Sequence, residues 1–147
     1  MAEITTGVQI VLPQHCNGYA KPRLFGGQIM AWIDIIGAVA ARRFTHCAVT
    51  TVCIENLNFI APAYLNDTIT QDARVTWTGH TSLEVRVDSY VEHLDSTRTL
   101  VNRAYAVYVA LDDNDRPTAV PAFTPETDEE REEYEAAIRR RELRKQK

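Results

Sequence analysis

The segment between Gln28 and Arg42 constrains the fold more than any other part of this chain. Its residues are apolar on nearly every side of a helix, and Asp34 is the single ionisable side chain between Ile29 and Ala41. A helix that is apolar all round must be covered by other parts of the protein. We therefore predict a central helix. A buried, unpaired carboxylate costs several kcal/mol, so Asp34 needs either a hydrogen-bonding partner on a neighbouring strand or a chemical role.

Extended segments lie on both sides of this helix in the sequence. Apolar and polar residues alternate in them, and turn-forming residues separate them. The predicted strands are Thr5–Leu12 before the helix and Ala48–Ile60, Thr68–Trp77, Leu83–Val91 and Leu100–Leu111 after it. Such an order predicts an α+β domain in which an antiparallel sheet curls around one helix. The polar segment Gln14–Leu24 is expected to be a loop that leads into the helix.

The composition excludes several classes of protein. A chain of 147 residues with 45% hydrophobic and 24% charged residues has the size and mixture of one soluble domain. No apolar run is long enough for a membrane span and no signal peptide is recognisable, so we expect a cytoplasmic protein with no membrane partner. Three cysteines without a C-x-x-C pair indicate reduced thiols. A net charge of -4 argues against nucleic acid as a partner.

The segment from Pro125 onward has a composition of its own. Acidic residues concentrate at its start and basic residues at its end, the distribution that complements a helix dipole. We predict a solvated C-terminal helix that packs lightly through an apolar seam. The seam consists of Tyr134, Ala137, Ile138 and Leu143.

Two glycines at the start of the central helix suggest a chemical role for Asp34. Gly26 and Gly27 present backbone N–H groups that have no acceptor within the helix, an arrangement suited to polarising a carbonyl or binding an anion. Gly27 and Asp34 lie on one face but roughly 10.5 Å apart along the axis, too far to serve one carbonyl group. We infer that one site takes its two groups from two chains, whose helices run antiparallel across a dimer interface.

Four motifs occur in an order that resembles a known family. They are Leu24-Phe25-Gly26-Gly27-Gln28-Ile29-Met30, Trp32-Ile33-Asp34, Asn58-Phe59-Ile60-Ala61-Pro62 and Gly79-His80-Thr81-Ser82-Leu83-Glu84-Val85. They resemble the hotdog-fold acyl-CoA thioesterases of the acyl-CoA hydrolase branch, from about residue 7 to Pro125-Glu126-Thr127. The resemblance implies a long helix wrapped by a curved antiparallel sheet of five to six strands. It divides the chain into a hotdog domain, residues 1–124, and a charged C-terminal helix, residues 125–147.

The resemblance also implies an activity and a site. The expected reaction is hydrolysis of acyl-CoA to a fatty acid and coenzyme A, with Asp34 activating water or attacking directly and the Gly27 amide polarising the thioester carbonyl. Homodimers are implied, commonly assembled into a hexamer as a trimer of dimers. The four histidines show no metal-ligand spacing, so we expect no metal and no cofactor other than the coenzyme A of substrate and product.

The loop before the helix departs from the family pattern. The family usually carries Asn six residues before the Phe and Gly three before it, where this chain has Tyr19 and Pro22. Asn17 lies earlier and is a third catalytic candidate, which would position water or the carbonyl. The alternative is that Asn17 and Gly18 simply form a turn.

Coenzyme A carries phosphates, which are recognised by cations and small hydrogen-bond donors. The candidate binding residues are Gly26, Thr81, Ser82, Arg42 and Arg43, and further candidates are Lys21, Arg23 and the basic end of the C-terminal segment. Arg42 and Arg43 could instead complement the dipole of the helix.

Two other functions occur on the same fold: non-catalytic acyl-CoA binding or sensing, and dehydration of a hydroxyacyl thioester. The dehydratase would need a histidine beside the helix acid, a place that only His15 could take.

Overall fold

The computed structural model describes residues 2–18 and 20–146, so the predicted family position Tyr19 lies outside them. The elements in chain order are β1 (Thr5–Ile10), β2 (Cys16–Asn17), β3 (Arg23–Leu24), α1 (Gly26–Thr45), β4 (Ala48–Glu55), β5 (Thr68–Thr78), β6 (Ser82–Glu92), β7 (Arg98–Leu111) and α2 (Asp128–Lys145). The α+β class and the five long predicted strands are confirmed. The strand predicted over Ala48–Ile60 ends early because Asn56 adopts a left-handed conformation with φ 63°.

The five long strands form one antiparallel sheet in the order β1-β5-β6-β7-β4. The sheet curls around α1, and its inner face supplies most of the core. The core side chains of the three central strands come from alternating positions, except where a bulge in β7 at Val101 shifts the alternation by one residue: Ile69, Ala73 and Val75 on β5, Leu83, Val85, Val87 and Val91 on β6, and Val101, Ala104, Ala106 and Tyr108 on β7. Strands β1 and β4 are the two edges of the sheet.

Helix α1 is covered by the sheet on one side only. Ile29, Trp32 and Ile33 are buried against the sheet. Met30 and Ile35, on the other side, are 38% and 61% exposed. The central helix is confirmed, and within one protomer the sheet leaves this second side of it open. That a second protomer covers the open side stays a prediction.

The segment that leads into α1 is more ordered than the predicted loop. A short 3-10 turn at Pro13–His15 is followed by a two-stranded hairpin in which Asn17 of β2 lies opposite Arg23 of β3. Gly18 has φ 102°, a conformation that favours glycine, so it supplies the bend just after β2. The sequence did not predict this hairpin, because the segment is polar and strands of two residues are too short to show an alternation of apolar and polar residues.

Helix α2 lies on the outer face of the sheet and is held there by ion pairs. Arg140 binds the fully buried Glu84 through two bonds of 2.8 and 2.9 Å. Two further pairs join the helix to the sheet, Arg86 with Glu133 and Arg144 with Glu55. The predicted light apolar seam is only partly correct: Ala137 is buried, whereas Leu143 is 60% exposed.

Trp77 also lies on the outer face, although the alternation in β5 predicts it beside Val75 on the inner one. A β-bulge between Val75 and Trp77 inserts Thr76 as an extra residue and reverses the alternation. Trp77 is consequently paired with Glu84, and its ring faces the guanidinium of Arg141 at 5.4 Å.

Candidate active site

Asp34 lies halfway along α1, at the boundary between the side of the helix that the sheet covers and the side that it leaves open. The carboxylate is half-buried and lines a groove of about 270 Å3. The groove runs between α1 and the edge strand β4, and its lining also includes Ile35, Ala38, Val39, Arg42, Val49 and Thr51. The acid is therefore accessible, which a purely structural carboxylate in a sealed core would not be.

Two hydroxyl groups donate hydrogen bonds to one oxygen of this carboxylate. The Thr51 Oγ1 lies 2.8 Å from Asp34 Oδ1, and the Tyr108 hydroxyl lies 3.1 Å from the same atom. The Tyr108 hydroxyl is also 3.0 Å from the backbone carbonyl of Asp34. No group within residues 2–18 and 20–146 binds the other oxygen, Oδ2. One oxygen is held, and the other is left for a ligand or water.

The state of the Tyr108 hydroxyl follows from its surroundings. Tyr108 is fully buried on β7, and burial, together with the adjacent Asp34 carboxylate, raises its pKa well above the ordinary value of a tyrosine. The hydroxyl therefore keeps its proton and acts as a donor towards Asp34.

The sheet register explains why Thr51 and Tyr108 reach the same oxygen. Thr51 of β4 lies directly opposite Tyr108 of β7. A β-bulge between Thr51 and Cys53 then reverses the alternation, so both Thr51 and the core residue Ile54 turn towards the helix. Bulges next to active sites commonly re-aim a side chain in this way. The sequence pattern missed both residues, because it shows neither the register of β4 against β7, which brings Tyr108 opposite Thr51, nor the bulge that follows Thr51.

The glycine pair is at the amino end of α1, where the helix begins. Gly26 is the first helical residue and Phe25 caps it in an extended conformation. Within the ranges that the structure describes, neither glycine N–H has a hydrogen-bond acceptor. The Gly27 amide is exposed, so it is free to bind a carbonyl oxygen or an anion.

Within one protomer the structure does not bring Gly27 and Asp34 together. They are separated by seven residues of a continuous helix, roughly 10.5 Å along its axis. Asn17, the third catalytic candidate, is exposed on β2 and has no contact with Asp34. None of the three is thereby excluded from a site formed by two protomers.

The candidate coenzyme A residues divide between the two ends of α1. Arg42 and Arg43 occupy its last turn, and Gly26 its first. The β5–β6 turn lies at the Arg42 end, because the Thr78 hydroxyl just before it accepts from the backbone of Phe123, whose ring packs on Phe44 of α1. This turn holds the two remaining candidates, Thr81 and Ser82.

The two arginines of the last turn differ in their surroundings. Arg42 lines the groove that contains Asp34. Arg43 lines a different cavity, and its Nη1 lies 3.5 Å from the Thr5 hydroxyl. We predicted the same role for both arginines from the sequence, whereas in the structure Arg42 lines the groove of the acid and Arg43 does not.

No group of His, Cys, Asp or Glu side chains in residues 2–18 and 20–146 has the geometry to hold a metal ion. None of the helices in that part of the chain is both long and apolar enough to cross a bilayer.

Comparison with known proteins places this chain in one family. Residues 22–97 match the family model described as the thioesterase superfamily. An uncharacterized acyl-CoA thioester hydrolase of Bacillus subtilis, YkhA, is 35% identical over 92% of this chain and 78% of its own length. The chain spans only 23 to 26% of the mouse and rat thioesterases that it also matches.

Solved structures similar to this chain belong to proteins of the same kind. A hexameric acyl-CoA thioesterase determined in its apo form has a TM-score of 0.87 and 34% identity, and the match covers 97% of this chain and 91% of that one. An acyl-CoA hydrolase from Staphylococcus aureus, in complex with butyryl coenzyme A, coenzyme A and coenzyme A disulfide, has a TM-score of 0.85 and 32% identity over 97% and 86% of the two chains. The chain belongs to the thioesterase superfamily. It has the hotdog fold and is a thioester hydrolase.

Proposed function

We propose that this protein hydrolyses acyl-CoA thioesters to a free fatty acid and coenzyme A. The observation that carries the proposal is the half-buried Asp34 carboxylate, which faces a groove while two hydroxyls hold one of its oxygens. The relatives support the choice of substrate, since they are described as acyl-CoA hydrolases. Location in the cytoplasm and a place in fatty acid metabolism are part of the same proposal.

Asp34 acts as general base or as nucleophile. As a base, its carboxylate removes a proton from a water molecule, and the resulting hydroxide attacks the thioester carbon. As a nucleophile, Asp34 attacks the carbon itself and forms a mixed anhydride that water then hydrolyses. In both routes the carbon–sulfur bond breaks and coenzyme A leaves as the thiolate, so the residues need no metal or additional cofactor to complete the reaction.

The oxyanion that forms on the carbonyl oxygen is bound by the backbone amide of Gly27 of the partner subunit. Two observations support a dimer with antiparallel α1 helices. The open side of α1 exposes Met30 and Ile35, and β4 is a sheet edge beside it. Antiparallel helices would also bring the first turn of one α1 towards the groove and last turn of the other. The hexameric relative supports further assembly into a trimer of dimers.

The same arrangement gives coenzyme A a surface to bind. Thr81 and Ser82 supply small donors, and Arg42 supplies a cation at the end of the groove. Arg43 is a weaker candidate for binding coenzyme A, because it faces Thr5 and a separate cavity. Gly26 contributes from the partner subunit with the same helix end as Gly27. Asn17 retains its proposed role of positioning water or the carbonyl from the hairpin before α1.

The contacts of the histidines argue against the dehydratase alternative. His15 accepts a hydrogen bond at Nδ1 from the Leu12 backbone, and its ring packs edge-on against Trp32 at 4.9 Å. In the part of the chain that the structure describes, no histidine contacts Asp34. A histidine paired with the helix acid is therefore missing within the protomer.

A thiol-release assay over a panel of acyl-CoAs tests the proposal. Asp34→Asn keeps an oxygen for Thr51 and Tyr108 to bind, so the fold should persist while turnover falls by about 10²–10⁴-fold. Near-normal turnover in that variant would remove Asp34 from the mechanism. Binding of acyl-CoA without thiol release by the wild type would instead identify a binding or sensing protein.

The partner amide is tested by two substitutions at one position. Gly27→Pro removes the N–H group at a helix position where proline is tolerated, and Gly27→Ala keeps the N–H. Both add a Cβ atom against the ring of Phe25, which is itself exposed and free to move. We expect a loss of about 10²–10³-fold for proline alone. Equal rates for the two variants would rule out the amide as the oxyanion donor.

A further inference from the structure

The hydroxyl of Tyr108 belongs to neither the nucleophile nor the oxyanion donor. We propose that Tyr108 is a positioning residue for Asp34: its hydroxyl holds Oδ1 from inside the core, so that Oδ2 remains directed to the reacting water or carbonyl. This inference rests on the proposed hydrolysis and assigns a residue that the sequence did not suggest. Tyr108 itself touches no substrate, because it is fully buried beneath α1.

The two donors on Oδ1 are not equivalent. Thr51 lies on the exposed edge strand, where its hydroxyl can donate its hydrogen bond to water instead of to Asp34. Tyr108 has no access to solvent, and a buried phenol needs a partner inside the protein. Both acceptors within its reach belong to Asp34, the backbone carbonyl at 3.0 Å and Oδ1 at 3.1 Å, so the hydroxyl stays directed at this residue when the Thr51 side chain moves. The central strand β7, rather than the edge, fixes the carboxylate.

Helix α1 has a glycine at the point where it contacts this hydroxyl. Gly37 follows Asp34 by three residues and is buried against Tyr108. A Cβ atom at position 37 would collide with the Tyr108 oxygen and would lie 3.2 Å from the adjoining ring carbon. Glycine is less favourable than alanine inside a helix, so the helix gives up stability in order to accommodate the hydroxyl.

The test is Tyr108→Phe, which removes one oxygen and keeps the ring. We expect kcat for acyl-CoA hydrolysis to fall by about 10- to 100-fold, the range for losing a hydrogen bond to a charged group. KM should stay within about threefold, because the substrate contacts are retained. The matched control is Tyr105→Phe on the same strand, which makes the same change on the opposite face beside Arg140. That variant should keep kcat within about twofold.

Combination with Asp34→Asn separates positioning from a general structural effect. If Tyr108 acts through Asp34, adding Tyr108→Phe to Asp34→Asn causes no further loss of turnover. An equal additional loss in that background would overturn the inference, as would an unchanged kcat in the single variant. Should Tyr108→Phe fail to fold, Gly37→Ala displaces the same hydroxyl and should lower kcat with little change in KM. An unchanged kcat there overturns the inference.

The two proposals fail in different ways. A wild-type protein that releases no thiol from any acyl-CoA refutes the proposed function, and the inference with it. A wild type that is active and an Asp34→Asn variant that is inactive, combined with a fully active Tyr108→Phe variant, refute the inference alone.

Discussion

Replacing Arg140 by methionine should destabilise the protein far more than its position near the end of the chain suggests. Arg140 donates two hydrogen bonds to Glu84, which also accepts one from Thr76 at 2.6 Å. The side chain of Glu84 has no solvent exposure. Methionine keeps the aliphatic stem of the arginine and removes only its charge and donors, leaving a buried carboxylate without its counter-ion.

The expected loss follows from that burial. Breaking a buried ion pair by removing one partner costs about 3–5 kcal/mol of unfolding free energy. In a domain of this size that loss lowers Tm by roughly 6–20 °C. Arg141→Met is the matched control on the neighbouring residue, whose pair with Glu142 is exposed and 3.8 Å long. An exposed pair contributes less than about 1 kcal/mol.

Urea unfolding followed by circular dichroism measures the difference, with the protein concentration held fixed because assembly shifts the apparent stability. The double variant Arg140→Met, Glu84→Met should recover most of the loss, since it leaves no buried charge unpaired. If Arg140→Met and Arg141→Met lose equal free energy, then the Glu84 pair does not anchor α2 to the sheet.

Three other substitutions test separate parts of the structure. Thr51→Val removes the edge-strand donor to Asp34 and should lower kcat by about tenfold, with an unfolding midpoint close to that of the wild type. Asn102→Ala removes the amide that binds the backbone carbonyls of the exposed residues Asn56 and Asn58 at 3.1 and 2.8 Å, and urea unfolding should show a loss of about 0.5–1.5 kcal/mol for each hydrogen bond, since water can replace the amide. Leu143→Ser changes an exposed residue of α2, so its unfolding free energy should stay within about 0.5 kcal/mol of the wild type; a larger loss would mean that a partner covers this leucine.

The sequence was sufficient to predict the two helices and the five long strands, since their signals are local, but not the short β2–β3 hairpin. Alternation identified each long strand to within a few residues, except where Asn56 ends β4 early. The unbroken apolar run identified α1, and the charge distribution identified α2. The division of the chain after residue 124 into two units stays a prediction.

The candidate site was predictable only where a residue looks unusual in its own segment. Asp34 is an isolated acid in an apolar helix, and Gly26 and Gly27 are adjacent glycines at a helix start. Their roles in catalysis stay predictions, together with those of Asn17 and the coenzyme A candidates.

Thr51 and Tyr108 could not be found in the same way, because both look ordinary in a strand. Their proximity to Asp34 depends on the register of β4 against β7 and on the bulge that follows Thr51. The same kind of irregularity moved Trp77 to the outer face of the sheet. The one available signal was Gly37, a glycine inside a buried helix that leaves space for a large neighbour.

Thr51, which donates a hydrogen bond to Asp34, lies on an edge strand. We therefore expect the catalytic activity to depend on the association of subunits. Unpaired strand edges readily recruit another chain, and a partner that paired with β4 would also cover the groove that contains the acid. Excluding water there strengthens every charge interaction around the carboxylate. Subunits diluted until they separate should therefore lose turnover in step with their association, even while each one stays folded.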